Sequence, residues 1–218
     1  MLRKYLLPFF YFISIKLISK NKYLLFSTSL LKEYCINSQL NKCYFDYNLI
    51  NYREHCAYSE KKNIDVLFYY RKYKAHDSSR QSEIIKQLSS IGYNIYVVGD
   101  HLNLTNVKNL GIIKRGKLFY YLKKTKCTIN EGTNFFSIFS LDAISCGVRV
   151  FNDLNTFREQ RYFNKKYFIK IDLDNTKLSF LKIKYFLDNY YKLPKNKFNI
   201  NKFKKKYLKY FAKQIINK

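Results

Sequence analysis

The stretch TINEGTNFFSIFSLDAISCGVRVFN, residues 128–152, decides the fold. It begins as a short apolar strand, passes through a polar turn at 130–134, and continues as the nearly all-apolar segment Phe135–Cys146. A helix that is apolar on almost every side is typical of the interior of a layered domain. Gly147 follows it, where a left-handed C-cap is expected, and a second apolar run comes next. The stretch therefore predicts a buried strand–helix–strand unit.

The polar turn and Asp142 predict a ligand site over the start of this helix. Unpaired backbone N–H groups and the helix dipole favour an anion such as phosphate at a helix N-terminus. Asn134 and Asp142 lie within roughly 80° of each other around the axis and about 12 Å apart along it. A ligand over the helix start could contact one polar group at each end. The alternative is that Asp142 is a buried acid paired with a lysine.

Residues 142–150, DAISCGVRV, resemble the second half of a motif in retaining nucleotide-sugar glycosyltransferases of the GT-B fold. The motif, E-G-x-G-(four apolar)-E-A-x-x-x-G-x-P-V, lies in their C-terminal donor-binding domain. The resemblance implies that Asp142 stands where the family has the glutamate that bonds the donor's ribose hydroxyls. It also implies a doubly wound, Rossmann-like α/β domain.

The first half of the motif is altered in this chain. The family's sugar-contacting glutamate falls on Asn134, and the nearest acid is Glu131. The second glycine falls on Ser137 and the proline on Arg149. Either Asn134 and Glu131 make the catalytic sugar contact in an altered loop, or sugar transfer is weakened or lost. The resemblance places further donor contacts at Thr133, Phe136, Ser137 and Ile138.

From Asn63 onward, predicted strands and helices alternate. The apolar, β-branched and aromatic run Ile64–Tyr70 is typical of a buried parallel strand. The elements predicted after it are a helix from Ser78 or Ser79 to Ile91, strands Tyr93–Val98 and Val107–Leu110, a helix Gly116–Lys124, a helix Thr156–Phe163, a strand Tyr167–Ile171 and a helix Lys177–Tyr190. This alternation predicts a doubly wound parallel sheet that binds ligands at the carboxyl ends of its strands.

The end of the first of these strands resembles the family's G-R-x(4)-K element, which grips the donor diphosphate. Arg71 matches the arginine, while Tyr70 replaces the glycine and His76 occupies the lysine position. The second cation would then come from Lys74 or Lys72. Fixed cations suit this task because they stabilise the charge that develops on a diphosphate leaving group.

Two further loops match the family pattern. Gly99 and Asp100 resemble its V-x-G-D turn, whose meaning is mainly structural. Gly111-Ile112-Ile113 resembles the segment whose backbone faces the nucleobase, which makes Ile113 a candidate donor contact. The specificity of the match lies in the order and spacing of these elements across residues 63–152.

The rest of the chain is interpreted as flanking parts. Residues 1–36 would be a remnant of the acceptor-binding domain or an interfacial helix, since the apolar run Tyr5–Ile15 is shorter than the roughly 20 residues that span a bilayer. Within it we predict a strand, Tyr23–Phe26, and a helix, Leu30–Ile36. Residues 37–62 would be an irregular linker, 63–195 the nucleotide-sugar-binding domain and 196–218 an amphipathic helix. Most of the family's N-terminal domain would then be missing.

The composition limits the alternatives. A net charge of +26 points to nucleic acid or an anionic membrane. However, the abundance of Lys, Asn, Ile, Tyr and Phe, with only 6 Gly and 2 Pro, indicates A/T-rich coding bias, so we treat membrane attraction as secondary. The 5 scattered cysteines include no C-x-x-C pair and favour a reducing compartment, with Cys127 and Cys146 filling the core. The 3 histidines have no metal-ligand spacing, and we expect no metal or other cofactor.

The leading functional hypothesis is transfer of a sugar from a nucleoside-diphosphate donor to a polysaccharide or lipid-linked glycan. The expected location is cytoplasmic, with peripheral contact at the inner membrane face as an option. The second hypothesis is a truncated or non-catalytic nucleotide-sugar-binding module that needs a partner. The third, a basic nucleic-acid-binding protein, is disfavoured because the aromatic residues lie mostly in apolar runs, so we expect no nucleic-acid partner.

Overall fold

The computed structural model describes residues 23–26, 41–44, 52, 61–72, 79–130, 137–153, 167–193, 199, 201–203, 205, 206, 208 and 209. Within them lies a six-stranded parallel sheet. Its strands are β3 Ile64–Tyr70, β4 Ile95–Gly99, β5 Val107–Asn109, β6 Thr125–Ile129, β7 Arg149–Asp153 and β8 Phe168–Ile171. Their order across the sheet is β5-β4-β3-β6-β7-β8. Two further strands, β1 Tyr23–Phe26 and β2 Asn41–Tyr44, form a separate parallel pair.

The strand order places a topological switch point between β3 and β6. From β3 the chain moves outward through β4 to β5, then returns to the other side of β3 and moves outward through β6, β7 and β8. In open α/β sheets, ligands bind outside the carboxyl ends of the strands at such a point. The fold therefore predicts a ligand site beside the residues that follow β3 and β6.

Helices cover both faces of the sheet. They are α1 Ser79–Ser90, α2 Arg115–Lys123, α3 Ile138–Ser145 and α4 Thr176–Asp188, followed by a 3-10 turn at Tyr190–Lys192. Side chains alternate across a strand, so Val66 and Phe68 pack with α1 and α4, whereas Leu67 packs with α2 and α3. Burial on both faces explains why β3 is apolar or aromatic at every position except Asp65, which pairs with Lys126 on the neighbouring strand.

The two margins of the sheet are β5 and β8. Each carries an exposed lysine, Lys108 on β5 and Lys170 on β8. The Lys108 ammonium group lies 5.2 Å from the ring centre of Tyr96 on the neighbouring strand.

The predicted fold class is confirmed, and so are several details. The limits of β1 and β3 agree with the sequence prediction, Gly147 has a φ of 72° at the end of α3, and Cys127 and Cys146 are buried in the core. Helix α3 begins three residues later than predicted, at Ile138, because Ser137 is its N-cap. Phe135 lies outside the described residues.

The interpretation of residues 37–62 as irregular was wrong at Asn41–Tyr44, which is a strand. Tyr23 to Phe26 pair with Asn41 to Tyr44 in parallel register, so long-range pairing overrides a weak local pattern that begins with Asn and Lys. The predicted segments Tyr5–Ile15, Leu30–Ile36 and Thr156–Phe163 lie outside the described residues. In the predicted tail helix, positions 201–203, 205, 206, 208 and 209 are helical.

Candidate donor-binding site

The N-terminus of α3 lies at the carboxyl edge of the sheet, directly downstream of β6. Ser137 caps it: the Ser137 hydroxyl oxygen accepts a hydrogen bond from the backbone N–H of Ser140 at 3.1 Å. Helix geometry gives the amides of Ile138 and Phe139 no intrahelical carbonyl partner, and the Ile138 side chain is exposed. The first turn of α3 can therefore present N–H groups to an anion.

Arg71 is connected to this first turn through Tyr69. Its Nε donates a hydrogen bond to the hydroxyl of Tyr69 at 2.7 Å, and its guanidinium carbon lies 5.4 Å from the centre of the Tyr69 ring. The Tyr69 ring in turn stacks on Phe139, in the first turn of α3, with 5.3 Å between ring centres. Two contacts thus connect an exposed guanidinium at the end of β3 to the helix that follows β6, across the switch point.

Asp142 lies one turn further along α3 and is buried, with 1% of its side chain exposed. Its Oδ1 accepts hydrogen bonds from Nη2 of Arg115 at 2.6 Å and from the hydroxyl of Tyr52 at 2.8 Å. Its Oδ2 accepts a third from Nε of Arg115 at 3.0 Å. The predicted ribose contact is therefore enclosed by two residues in this structure, and its cationic partner is an arginine and not a lysine.

Arg115, the first residue of α2, is 44% exposed and lies against aromatic rings. Its guanidinium carbon is 5.7 Å from the ring centre of Tyr52 and 5.5 Å from that of Phe119. Burial raises the pKa of the Tyr52 phenol above its ordinary value, and nearby Asp142 raises it further, so Tyr52 stays a neutral donor. These contacts fix the guanidinium over the second turn of α3.

Gly99 and Asp100 shape the loop after β3. Gly99 has a φ of +106°, and a Cβ there would lie 2.2 Å from the backbone oxygen of Tyr70, so only glycine fits. The backbone N–H of Asp100 donates to that same oxygen at 2.9 Å, and its Oδ2 accepts from the N–H of Lys72 at 2.7 Å. The turn therefore fixes the backbone on both sides of Arg71.

Ile113 has a different position from the polar candidates. It is half-buried, packs against the α2/α3 core cluster and precedes α2 by two residues. Gly111, two residues earlier, accepts a hydrogen bond from the N–H of Gly99 at 3.0 Å. The remaining predicted site residues, Lys74, Glu131, Thr133, Asn134 and Phe136, lie outside the described residues.

Sequence reasoning missed Arg115, Tyr52 and Tyr69. Arg115 could have been noticed as the cation that follows the predicted nucleobase segment and starts the next helix, whereas Tyr52 lies 90 residues from its partner and gives no local signal. In the described parts of the chain, no group of three or more His, Cys, Asp or Glu residues could hold a metal ion. The same parts contain no helix of sufficient length and apolarity to cross a membrane.

Comparison with solved structures identifies the architecture. Sucrose-phosphate synthase from Thermosynechococcus elongatus is similar over 77% of this chain, with a TM-score of 0.56 and 10% identity. The pneumococcal O-GlcNAc transferase GtfA, solved with UDP and GlcNAc, is similar over 91%, with a TM-score of 0.57 and 11% identity. A glycosyltransferase from Rickettsia africae is similar over 91%, with a TM-score of 0.56 and 12% identity. This is the fold of the GT-B glycosyltransferases.

The chain spans only part of these three structures: 49% of the synthase, 46% of GtfA and 65% of the Rickettsia protein. No protein-family model matches the sequence, and no curated protein does. At these identities the likeness establishes the GT-B fold.

Proposed function

We propose that this chain binds a nucleoside-diphosphate sugar and forms the donor-binding half of a retaining glycosyltransferase. The observation that carries the proposal is the connection of Arg71 to the first turn of α3 across the switch point, through the stacked rings of Tyr69 and Phe139. A diphosphate placed there would receive backbone N–H groups and a guanidinium together. The GT-B fold of the chain supports the same assignment.

The chemistry requires charge stabilisation and positioning. As the glycosidic bond breaks, negative charge develops on the leaving diphosphate, and fixed donors that already point at it lower the barrier. The departing phosphate can itself help deprotonate the acceptor, so this half needs no separate general base, and holding the reactants in line supplies the remaining acceleration. Asn134 and Glu131 are the proposed contacts to the sugar, and we propose no metal requirement.

Arg115 lies between Asp142 and the solvent from which the ribose end of the donor would approach. Because Asp142 is 1% exposed and Arg115 is 44% exposed, ribose hydroxyls reach the carboxylate only if Arg115 swings toward solvent. Comparing uridine diphosphate with its 2′-deoxy form tests this contact. Weaker binding of the deoxy form to the native chain, and equal binding of the two by Asp142→Asn, would support it.

Thermal-shift measurement tests the whole proposal. A ligand that binds only the folded state at 100 times its Kd stabilises it by about 2.7 kcal/mol, so UDP, GDP or a sugar nucleotide should raise Tm. Arg71→Ala should reduce the shift, whereas Arg80→Ala, which removes an arginine on α1 that pairs with Asp174, should not. Absence of any shift with all nucleotides would contradict donor binding.

A second candidate is a non-catalytic nucleotide-sugar-binding module that needs a partner chain. It is favoured by Asn134, which stands where the family motif has its sugar-contacting glutamate. Release of free sugar or transfer to a glycan by the purified chain would argue against it. For the active enzyme we propose a polysaccharide or lipid-linked acceptor and a cytoplasmic location with contact at the inner membrane face.

A further inference from the structure

Helix α4 presents an apolar stripe to solvent. Leu178, Leu181 and Tyr185 are 57%, 49% and 71% exposed, although they lie on a well-packed helix. They are spaced three and four residues apart and so line up along one side of the helix. We call these three residues the α4 ridge. The opposite side of α4 is buried through Ser179, Ile183, Phe186 and Leu187. Isolated exposed apolar side chains are ordinary, but an aligned group indicates a contact surface.

Lysines border the α4 ridge on both sides. At about 100° per residue, Lys182 lies roughly 40° beyond Leu178, and Lys177 lies roughly 40° beyond Leu181 on the other side. Within the described residues neither lysine pairs with a carboxylate, and Lys182 Nζ donates instead to the backbone oxygen of Lys170 at 2.6 Å. The nearby acids are already paired: Asp188 with Lys184 and Asp174 with Arg80. The ridge is therefore apolar along its crest and positive along both flanks.

We propose that the α4 ridge is a docking surface for an anionic lipid bilayer. Leucines and a tyrosine suit the boundary between headgroups and acyl chains, and lysines beside them suit lipid phosphates. The net charge of +26 draws the chain toward such a surface. A second copy of this chain is a poorer occupant, because a symmetric contact would bring the flanking lysines of both copies together.

The orientation that follows leaves the candidate donor site accessible. Helix α4 starts at the carboxyl edge of the sheet, after β8, and its ridge extends about 10 Å down the α1/α4 face. A bilayer along this face lies parallel to the strands, so the carboxyl edge opens sideways along the membrane. This inference does not depend on donor binding.

A fluorescent reporter gives the sharpest test, because the chain contains 0 Trp. Tyr185→Trp places a single indole on the α4 ridge, and Tyr120→Trp places a matched one on the exposed side of α2, on the opposite face of the sheet. With vesicles of equimolar phosphatidylcholine and phosphatidylglycerol, the ridge reporter should shift its emission to the blue and be quenched by brominated lipid. The proposal would be overturned if the emission of Tyr185→Trp did not shift, or if Tyr120→Trp on α2 showed an equal shift and equal quenching.

Vesicle co-sedimentation separates the apolar and the charged contributions. Combined Leu178→Ser, Leu181→Ser and Tyr185→Ser should weaken binding by about tenfold or more, whereas Ile112→Ser, at another exposed apolar residue, should not. Lys177→Glu with Lys182→Glu should weaken it more than Lys117→Glu with Lys123→Glu, which changes the net charge equally on α2. Equal losses of vesicle binding from the two charge pairs would indicate non-specific attraction and overturn the proposal.

Light scattering tests a second copy of the chain as the occupant of the α4 ridge. A native dimer that the ridge substitutions convert to a monomer would assign the surface to that second copy and also overturn the proposal.

Discussion

Asp142 and Arg115 form a two-point ion pair, with Arg115 Nη2 2.6 Å from Oδ1 and Nε 3.0 Å from Oδ2 of Asp142. The Lys184–Asp188 pair has the same shortest distance, 2.6 Å, but both of its side chains are over 40% exposed, at 41% and 44%. The carboxylate of Asp142 is buried. Two ion pairs of equal length should therefore differ strongly in their contribution to stability.

Arg115→Ala should lower the free energy of unfolding by about 2 kcal/mol, because it leaves Asp142 buried without its cation; the loss is smaller than for a fully enclosed pair since water reaches the arginine side. Urea denaturation of the native chain and the variant measures the difference. Lys184→Ala is the control and should have a much smaller effect. Comparable losses of unfolding free energy in the two variants would show that burial of Asp142 does not strengthen its ion pair.

Gly99→Ala should destabilise the fold by about 2 kcal/mol or more, since alanine adds a clash to an unfavourable φ. The added Cβ would lie 2.2 Å from the Tyr70 oxygen. Gly116→Ala is a matched control, because a Cβ there meets no atom within 4 Å. That substitution should be neutral or stabilise α2 by up to about 0.5 kcal/mol. Thermal unfolding of both variants decides the point, and a Tm for Gly99→Ala equal to that of the native chain would contradict it.

Arg71→Ala should weaken binding of a nucleoside diphosphate about 10- to 100-fold, the loss expected for a charge-assisted hydrogen bond. The corresponding nucleoside lacks phosphates and should bind with unchanged affinity. Isothermal titration calorimetry with both ligands gives the comparison. If the nucleoside loses as much affinity as the diphosphate, Arg71 acts on the shape of the site and not on the phosphates.

Stability should decrease at alkaline pH because of Cys127. Burial raises the pKa of the Cys127 thiol well above its usual value, and Asp65 adds to the rise. The unfolded thiol ionises near about pH 8.5, so above that pH the unfolded state loses a proton that the folded state keeps. The free energy of unfolding should then fall by at most about 1.4 kcal/mol per pH unit for this group. Cys127→Ser cannot titrate in this range, and its unfolding free energy between about pH 8 and 10 should be correspondingly flatter. Parallel curves for the two proteins would exclude Cys127 as the source.

The sheet was predictable because its signals are local. β3, IDVLFYY, is apolar or aromatic at every position except Asp65 and is bounded by polar residues, and this is the pattern of a strand buried on both faces. Gly92 and Gly147 end their helices with positive φ, as glycines after apolar segments should. The alternation of such elements leaves few topologies.

The rest depends on partners that are distant in the sequence. Ser137 could be either the third residue of the predicted helix or a cap, and only the hydrogen bond from the Ser140 N–H decides. β2 is stabilised by its pairing with β1 and not by its own pattern. Asp142 gave a clear motif, yet the residues that enclose it come from 27 and 90 positions away.

Lys108 and Lys170 have a consequence for solubility. A sheet margin exposes unpaired backbone groups that can template pairing with another chain, and charged side chains, lysine above all, oppose such growth. Both margins of this aromatic-rich sheet carry that protection, and β5 is also only three residues long. Part of the excess positive charge that resembles coding bias therefore acts as a guard against fibril-like self-association.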